Sequence, residues 1–169
     1  PIEAAHTPNM DFIASNGILG RTKTVPPKMP PASDVANISI LGYDPQRFYT
    51  GRGPLEAANL GIELEDEDVV FRCNLITVNQ DILTDYSSGH ISSKEAAILI
   101  NFINQRLGTN RIKFYPGVSY RHIMLFKMGA QEQLQDLICK PPHDITGQSI
   151  LKNMPKGQNA EIITELMSS

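Results

Sequence analysis

Hydrophobic and polar residues alternate along residues 69–76, and this is the clearest pattern in the chain. The residues at every second position are apolar or nearly so: Val69, Phe71, Cys73 and Leu75. The positions between them include Arg72 and Asn74. Successive side chains of a β-strand point to opposite faces, so this period of two predicts a strand with a charge and an amide on its second face.

A helical pattern follows at residues 92–107. Ser92 and Glu95 have the spacing of a capping box, in which two side chains satisfy free N–H groups of the first turn. Apolar residues then recur along one helical face: Ala96, Leu99, Ile100, Ile103 and Leu107. The sequence therefore predicts one amphipathic helix that ends at Gly108.

Further strands and a second long helix are predicted around this one. Residues 82–85 fit the returning strand of a hairpin. Residues 112–115 and 120–127 fit two strands around a turn at Pro116-Gly117, and residues 160–167 fit a final helix. This order predicts an α+β domain over residues 61–169, with a mixed sheet and flanking helices.

Residues 1–60 differ, because short helical starts alternate there with stiff loops. Helix starts are predicted at Pro1, at Thr7-Pro8 and at Pro54, since proline fits the first helical turn. Four prolines at positions 26, 27, 30 and 31 exclude a helix interior just before Ser33, which gives Ser33 the place of an N-cap. We therefore expect a separate segment with little core of its own.

Composition and charge exclude several classes of protein. The 169 residues carry 15 Lys and Arg and 18 Asp and Glu, a net charge of −3, whereas a general nucleic-acid binder is clearly basic. No apolar run approaches the roughly 18 residues of a membrane span, and no secretory signal pattern is present. Cys73 and Cys139 lack metal-ligand spacing, which is typical of reduced thiols. We therefore expect a cytoplasmic protein with no membrane or nucleic-acid partner.

Ser33 is the first candidate for chemistry. As a helix cap it needs no further role, but a hydroxyl at a helix start also suits a phosphate seat or a nucleophile, because the N–H groups there favour an anion. The chain offers no obvious general base for it. A nucleophilic Ser33 therefore needs activation from elsewhere, most simply by a metal ion.

Three arginines form the second set of candidates. Arg52 lies between two glycines, where a ligand can approach the backbone, whereas Arg72 and Arg121 lie among apolar residues of predicted strands. Each fits a structural ion pair, and the three together fit a bound polyanion, since guanidinium groups bind phosphate and carboxylate through paired hydrogen bonds. An enzyme and a non-catalytic anion-binding module are both compatible with these residues.

Several longer motifs match one family. Residues 31–37 read PASDVAN, residues 41–45 read LGYDP, and residues 49–57 read YTGRGPLEA. Shorter matches are FRCNL at 71–75 and YRH at 120–122. Through these motifs the chain resembles the archaeal-type 2,3-bisphosphoglycerate-independent phosphoglycerate mutases over nearly its whole length.

This resemblance implies a member of the alkaline phosphatase superfamily. Such mutases move a phosphoryl group between the 2- and 3-hydroxyls of glycerate through a phosphoserine, with divalent metal ions (Mn²⁺, Mg²⁺ or Zn²⁺). Ser33 matches the phosphorylated serine, which is also a metal ligand in related mutases. The residues expected to bind the phosphoglycerate substrate are Arg52, Arg72, Arg121, Asn37, Asn74 and His122.

The resemblance also implies parts without a counterpart here, namely an Asp-Gly metal motif and later Asp and His metal ligands. We expect residues 1–60 to be a piece of the metal-binding phosphatase domain that carries the nucleophile. Residues 61–169 are expected to form the inserted substrate-binding cap domain. The chain alone is then a fragment that binds no metal tightly and shows no mutase turnover. A phosphatase or a phosphonate-cleaving enzyme of the superfamily would use the same serine, and the sequence indicates no oligomeric state.

Overall fold

The computed structural model describes residues 4–169, so the helix start expected at Pro1 lies outside the described residues. The elements combine helices with short strands, which confirms the predicted α+β class. In chain order they are α1 (Pro8–Asn16), α2 (Ser33–Ile40), α3 (Pro45–Phe48), α4 (Arg52–Asn59), β1 (Val69–Asn74), β2 (Thr77–Asn79), β3 (Ile82–Asp85), α5 (Ser93–Leu107), β4 (Ile112–Val118), β5 (Arg121–Phe126) and α6 (Ala160–Ser168). Short 3-10 turns occupy Gly129–Glu132, Leu134–Asp136, Pro142–Asp144 and Leu151–Asn153.

The chain divides into two compact units, Pro1–Tyr49 and Thr50–Ser169. Helix α4 belongs to the second unit, because it packs against β1. The assignment of residues 1–60 to a phosphatase domain and of residues 61–169 to a cap domain stays a prediction. Among the helices of residues 4–169, none has the length and apolar character needed to cross a membrane.

The first unit holds α1, α2 and α3 and buries few side chains. Val35 of α2 is fully buried, whereas α1 contributes no buried residue. Asp44 caps α3 by accepting the N–H of Gln46 at 2.9 Å, and Pro45 takes the first helical position. Local capping therefore defines the helices of this unit more than burial does.

The second unit is built on a three-stranded antiparallel sheet of order β1-β5-β4, with a separate hairpin of β2 and β3. The central strand β5 is buried from His122 to Phe126. One sheet face meets Ile100 of α5 and Ile163 of α6. The buried residues of this core are Val69, Ile100, Phe114, Met124, Phe126, Leu134 and Ile163.

Helix α5 begins and ends where the sequence predicts. The Ser92 hydroxyl accepts the N–H of Glu95 at 3.3 Å and donates to the Glu95 carboxylate at 2.6 Å, and Gly108 follows the last turn. Ala96 and Ile100 are fully buried, whereas Leu99, expected on the same face, is 46% exposed. The buried stripe is therefore narrower than the apolar stripe of the sequence.

The turn between β4 and β5 lies three residues later than predicted. Pro116-Gly117 is inside β4, and the chain reverses at Ser119 and Tyr120, with Ser119 in the left-handed region at a φ of +54°. A strand that contains proline and glycine is typical of a bulge, because proline has no N–H for the ladder.

Gly53 sets how closely α4 approaches the sheet. A Cβ at this position would lie 2.5 Å from the carbonyl oxygen of Val70 and 3.2 Å from its Cγ1. Backbone cannot give way as a flexible side chain can, so only glycine fits this contact.

We predict that Gly53→Ala lowers the free energy of unfolding by about 1–2 kcal/mol, because overpacking outweighs the gain in helix propensity. Urea unfolding of the 169-residue chain measures this change. Gly20→Ala is the control, since a Cβ there meets nothing within 4 Å. Equal stability of Gly53→Ala and Gly20→Ala would contradict the close approach.

Candidate anion-binding site

Three of the predicted substrate-binding residues lie on one face of the three-stranded sheet. Arg72 and Asn74 point away from the core, because Phe71 and Cys73 between and beside them pack into it. Arg121 is the register partner of Asn74, so the two share this face. Arg72 is a diagonal neighbour of Arg121, roughly 7–8 Å away along the sheet. Arg72, Asn74 and Arg121 are called the arginine face below.

Arg72 is paired with an acidic side chain of α4. Its Nε lies 3.1 Å from Glu56 Oε1, and the Arg72 side chain is 22% exposed. The N–H of this nitrogen is not aimed at the oxygen, so the pair is a charge contact without a hydrogen bond. This Nε is itself buried, so an anionic ligand would have to meet this guanidinium at its Nη groups.

Asn74 and Arg121 complete the face at the other end of β1. Asn74 Oδ1 is buried and accepts no hydrogen bond from the described residues. The exposed Arg121 guanidinium lies over the Tyr120 ring, 5.6 Å from its centroid, and Tyr120 meets Tyr86 edge to face at 5.7 Å. An exposed cation–π contact stabilises by only about 0.5–1 kcal/mol. This contact orients Arg121 and leaves its N–H groups available to a ligand.

Arg52 is the first residue of α4, on the same side of the sheet. Gly51 before it has a φ of +94°, a backbone region that favours glycine, and Gly53 after it packs against Val70. Both flanking glycines therefore have structural reasons. Arg52 itself is half-buried and has interaction partners within the chain.

His122 is separated from this face, although the YRH motif places it beside Arg121. Neighbouring strand residues alternate, so His122 points into the core, where its register partner is Cys73. The residue is 1% exposed, and its Nδ1 accepts the N–H of Gly117 at 3.0 Å. Burial lowers the pKa of the imidazole to about 4, so the ring is neutral at pH 7. The position of His122 gives it no contact with a ligand on the arginine face.

Ser33 and Asn37 belong to the first unit, on α2. Ala32 takes the cap position, so Ser33 is the first helical residue and the prediction of a capping hydroxyl is wrong. Ser33 and Asn37 are both exposed, one helical turn apart. Next to Ser33, the carboxylate of Asp34 accepts the Tyr49 hydroxyl at 2.7 Å.

The described residues do not build a metal site. Across residues 4–169, no three His, Cys, Asp or Glu side chains converge to hold an ion. The arginine face is cationic and so repels a metal cation. The exposed hydroxyl of Ser33 has a single carboxylate beside it in sequence, which is fewer donors than a divalent ion takes.

Two contributors to the site escape residue-by-residue reasoning. Glu56 pairs with Arg72 only because α4 packs on β1, and no local pattern predicts that packing. Tyr120 supports Arg121 through its ring, which a strand pattern does not distinguish from a core aromatic. Their presence inside the GRGPLEA and YRH motifs is the signal that points to both.

Fold and site together define an α+β domain with a cationic face suited to a phosphate or carboxylate. Comparison with known proteins narrows this class. The family model described as 2,3-bisphosphoglycerate-independent phosphoglycerate mutase matches residues 14–169. The chain belongs to this family, as its motifs predict.

Relatives and solved structures agree with the family model. The phosphoglycerate mutase of Methanosarcina mazei is 52% identical over 170 residues, which cover 99% of this chain and 42% of the relative. The probable mutase of Geobacter sulfurreducens is 49% identical over 173 residues, covering 100% and 42%. The cofactor-independent phosphoglycerate mutase structure from Thermoplasma acidophilum matches with a TM-score of 0.59 and 26% identity, covering 99% of this chain and 45% of that one. The chain thus spans about 42% of the length of these curated relatives.

We predict that His122 makes the chain less stable as the pH falls from about 6.5 to 4. An unfolded histidine binds a proton near pH 6.5 and the buried ring only near pH 4, so in this window the unfolded state binds more protons. The loss approaches about 3 kcal/mol at pH 4, at 1.36 kcal/mol per pKa unit.

Urea unfolding at a series of pH values measures this loss. His122→Phe cannot take up a proton, so its stability should fall much less over the same window. The matched control is His90→Asn at an exposed position, which should keep the wild-type dependence. Parallel pH profiles for wild type and His122→Phe would refute the prediction.

Proposed function

We propose that this chain serves the interconversion of 2-phosphoglycerate and 3-phosphoglycerate, independently of 2,3-bisphosphoglycerate. In this proposal, Ser33 is the nucleophile and the arginine face binds the substrate. The proposal extends to this chain the activity for which its relatives are named. The observation that carries it is the placement of Arg72, Asn74 and Arg121 on one sheet face, opposite the core.

The arginine face matches the chemistry of the substrate. Phosphoglycerate carries a phosphate and a carboxylate, and each guanidinium fork can donate paired hydrogen bonds to one of them. Arg72 and Arg121 are diagonal neighbours on the sheet, and we propose that they bind the two anionic groups of one small molecule. Arg52 joins the set through the GRGPLEA motif and its place on α4.

The setting of Ser33 supports a nucleophilic role. Its hydroxyl is exposed at the first residue of α2, where free backbone N–H groups favour the charge of a phosphoryl group. Asn37 lies one turn further along the same helix and is the proposed second contact there. Since Ser33 is not the cap, its hydroxyl is not needed to stabilise the helix.

The proposed transfer runs in two balanced steps. The Ser33 Oγ–phosphorus bond forms as the phosphorus–oxygen bond to glycerate breaks, and the serine proton ends on the released hydroxyl. In the second step the neighbouring glycerate hydroxyl attacks the phosphoserine, and its proton returns to Ser33. No phosphate is lost, and the two steps together isomerise the substrate.

The resemblance also implies Mn²⁺, Mg²⁺ or Zn²⁺, with Ser33 as one ligand. A divalent ion would lower the pKa of a hydroxyl and neutralise charge on the phosphoryl group. Because the described residues do not form a metal site, we propose that the remaining ligands come from the segments that the relatives have beyond this match.

The function is best tested in a chimeric enzyme that contains the chain, called the transplant below. The 169 residues replace the matching segment of the Methanosarcina mazei mutase, and the same enzyme without the segment is the blank. A coupled assay with 3-phosphoglycerate should show mutase turnover in the transplant. Release of inorganic phosphate without isomerisation would instead indicate a phosphatase. The absence of both activities would refute the proposal.

We predict that Ser33→Ala abolishes turnover of the transplant, because the Ser33 hydroxyl is the proposed carrier of the phosphoryl group. Mass spectrometry should find one added phosphoryl group on the peptide containing Ser33 in the wild type. The fold should be unaffected, since exposed residues without a structural bond change stability by roughly 0.5 kcal/mol at most. Ser39→Ala on the same helix is the control. Near-native turnover in Ser33→Ala would remove this serine from the mechanism.

We predict that Arg72→Ala and Arg121→Ala each lower kcat/KM by about 10- to 200-fold. The loss corresponds to one charge-assisted contact of roughly 1.5–3 kcal/mol. Lysine should restore activity only in part, because it lacks the planar fork. Arg106→Ala, on the exposed side of α5, is the control for removing a positive charge. Full activity of the two alanine variants at low substrate would show that these arginines are structural.

A further inference from the structure

The pairing of β4 with β5 is interrupted opposite His122. Tyr115 pairs with Ile123 and Val118 pairs with Arg121, so Pro116 and Gly117 on β4 face the single residue His122 on β5. This two-against-one arrangement is a β-bulge, and it takes the regular ladder partner away from the N–H of Gly117. Pro116 has no N–H to satisfy.

The imidazole of His122 replaces the lost partner. Its Nδ1 accepts the Gly117 N–H at 3.0 Å inside the core. Only a neutral ring with its proton on Nε2 can accept in this way, and burial keeps the ring neutral. Gly117 also passes so close to the carbonyl oxygen of Arg121 that a Cβ would collide with it. The bulge therefore touches the backbone of Arg121 directly.

The turn that follows the bulge is anchored from a second side. The N–H of Ser119 donates to Ser93 Oγ at 3.0 Å, and the Ser119 hydroxyl donates to the carbonyl of Ile91 at 2.7 Å. Arg121 is the first strand residue after this turn. Its place on the sheet is consequently set by the bulge on one side and by the start of α5 on the other.

We infer that His122 is a positioning residue: by closing the bulge at Gly117 it fixes the start of β5 and aims the Arg121 guanidinium, beside Asn74, at the anion that binds there. The identity of that anion as substrate rests on the proposed function, whereas the closure of the bulge does not. His122 acts through Arg121 and needs no contact with the substrate.

Two substitutions separate positioning from packing. His122→Phe keeps the volume of a ring in the core but has no acceptor for the Gly117 N–H, so it removes this hydrogen bond while the packing stays in place. His122→Asn keeps an acceptor, because its Oδ1 is bonded to Cγ as Nδ1 is in histidine. It loses the volume of the ring, so it should be less stable than wild type. Cys73→Ala, the register partner, is the control for core damage away from the bulge.

Amide hydrogen exchange and side-chain relaxation in the 169-residue chain give the first readout. In His122→Phe the Gly117 amide should exchange about tenfold faster, and the Arg121 Nε–H should become more mobile. His122→Asn should keep both near their wild-type values despite its lower stability. If Gly117 exchange and Arg121 order follow stability instead, His122 is only a packing residue and the inference fails.

Steady-state kinetics of the transplant give the second readout. His122→Phe should raise KM for 3-phosphoglycerate about tenfold with little change in kcat, and His122→Asn should restore it. Unchanged KM in His122→Phe would overturn the aim of Arg121 at substrate. If the wild-type transplant shows no turnover, the proposed function fails, and the exchange and relaxation data in the chain then decide the positioning role.

Discussion

The antiparallel register of β1 against β5 is the constraint on which the rest of the second unit depends. It sets Phe71 opposite Met124 in the core and Asn74 opposite Arg121 on the other face. Side chains alternate along both strands, so a slip of one residue would turn the arginine of the slipped strand into the core that α5 and α6 cover. Burying an unpaired guanidinium costs several kcal/mol, which adds to the lost apolar contacts. The charges on one face and the core on the other thus specify the same register.

Helix α4 ties this register to a third element. Gly53 lets the helix approach Val70 at backbone distance, and that approach puts Glu56 within 3.1 Å of Arg72. A bulkier residue at 53 would lift the helix and lengthen the ion pair. Close packing and electrostatics are coupled here, because Gly53 sets the approach of α4 and thereby the position of the Glu56 carboxylate beside Arg72.

How far the sequence predicts the molecule depends on whether the deciding contact is local. The alternation of residues 69–76 predicts β1 and the shared face of Arg72 and Asn74, and the Ser92–Glu95 spacing predicts the start of α5. Prediction fails where residues distant in sequence decide the structure. Pro116-Gly117 has the sequence of a turn, and only the pairing of β4 with β5 identifies it as a bulge. The buried side of His122 follows only from the register with Cys73. The roles of Ser33 and of the arginines stay predictions, because they concern a ligand that side-chain packing alone does not reveal.

The bulge also governs where the chain can change length over evolution. Two residues of β4 already oppose one residue of β5 between Tyr115 and Val118. Removing one of the two would straighten β4 and leave every residue of β5 on its present face. Removing a residue from β5 itself would turn Arg121 toward the core, since alternation permits no half step. Single-residue deletions are therefore far less tolerable in β5 than in the strand beside it, although both belong to the same hairpin.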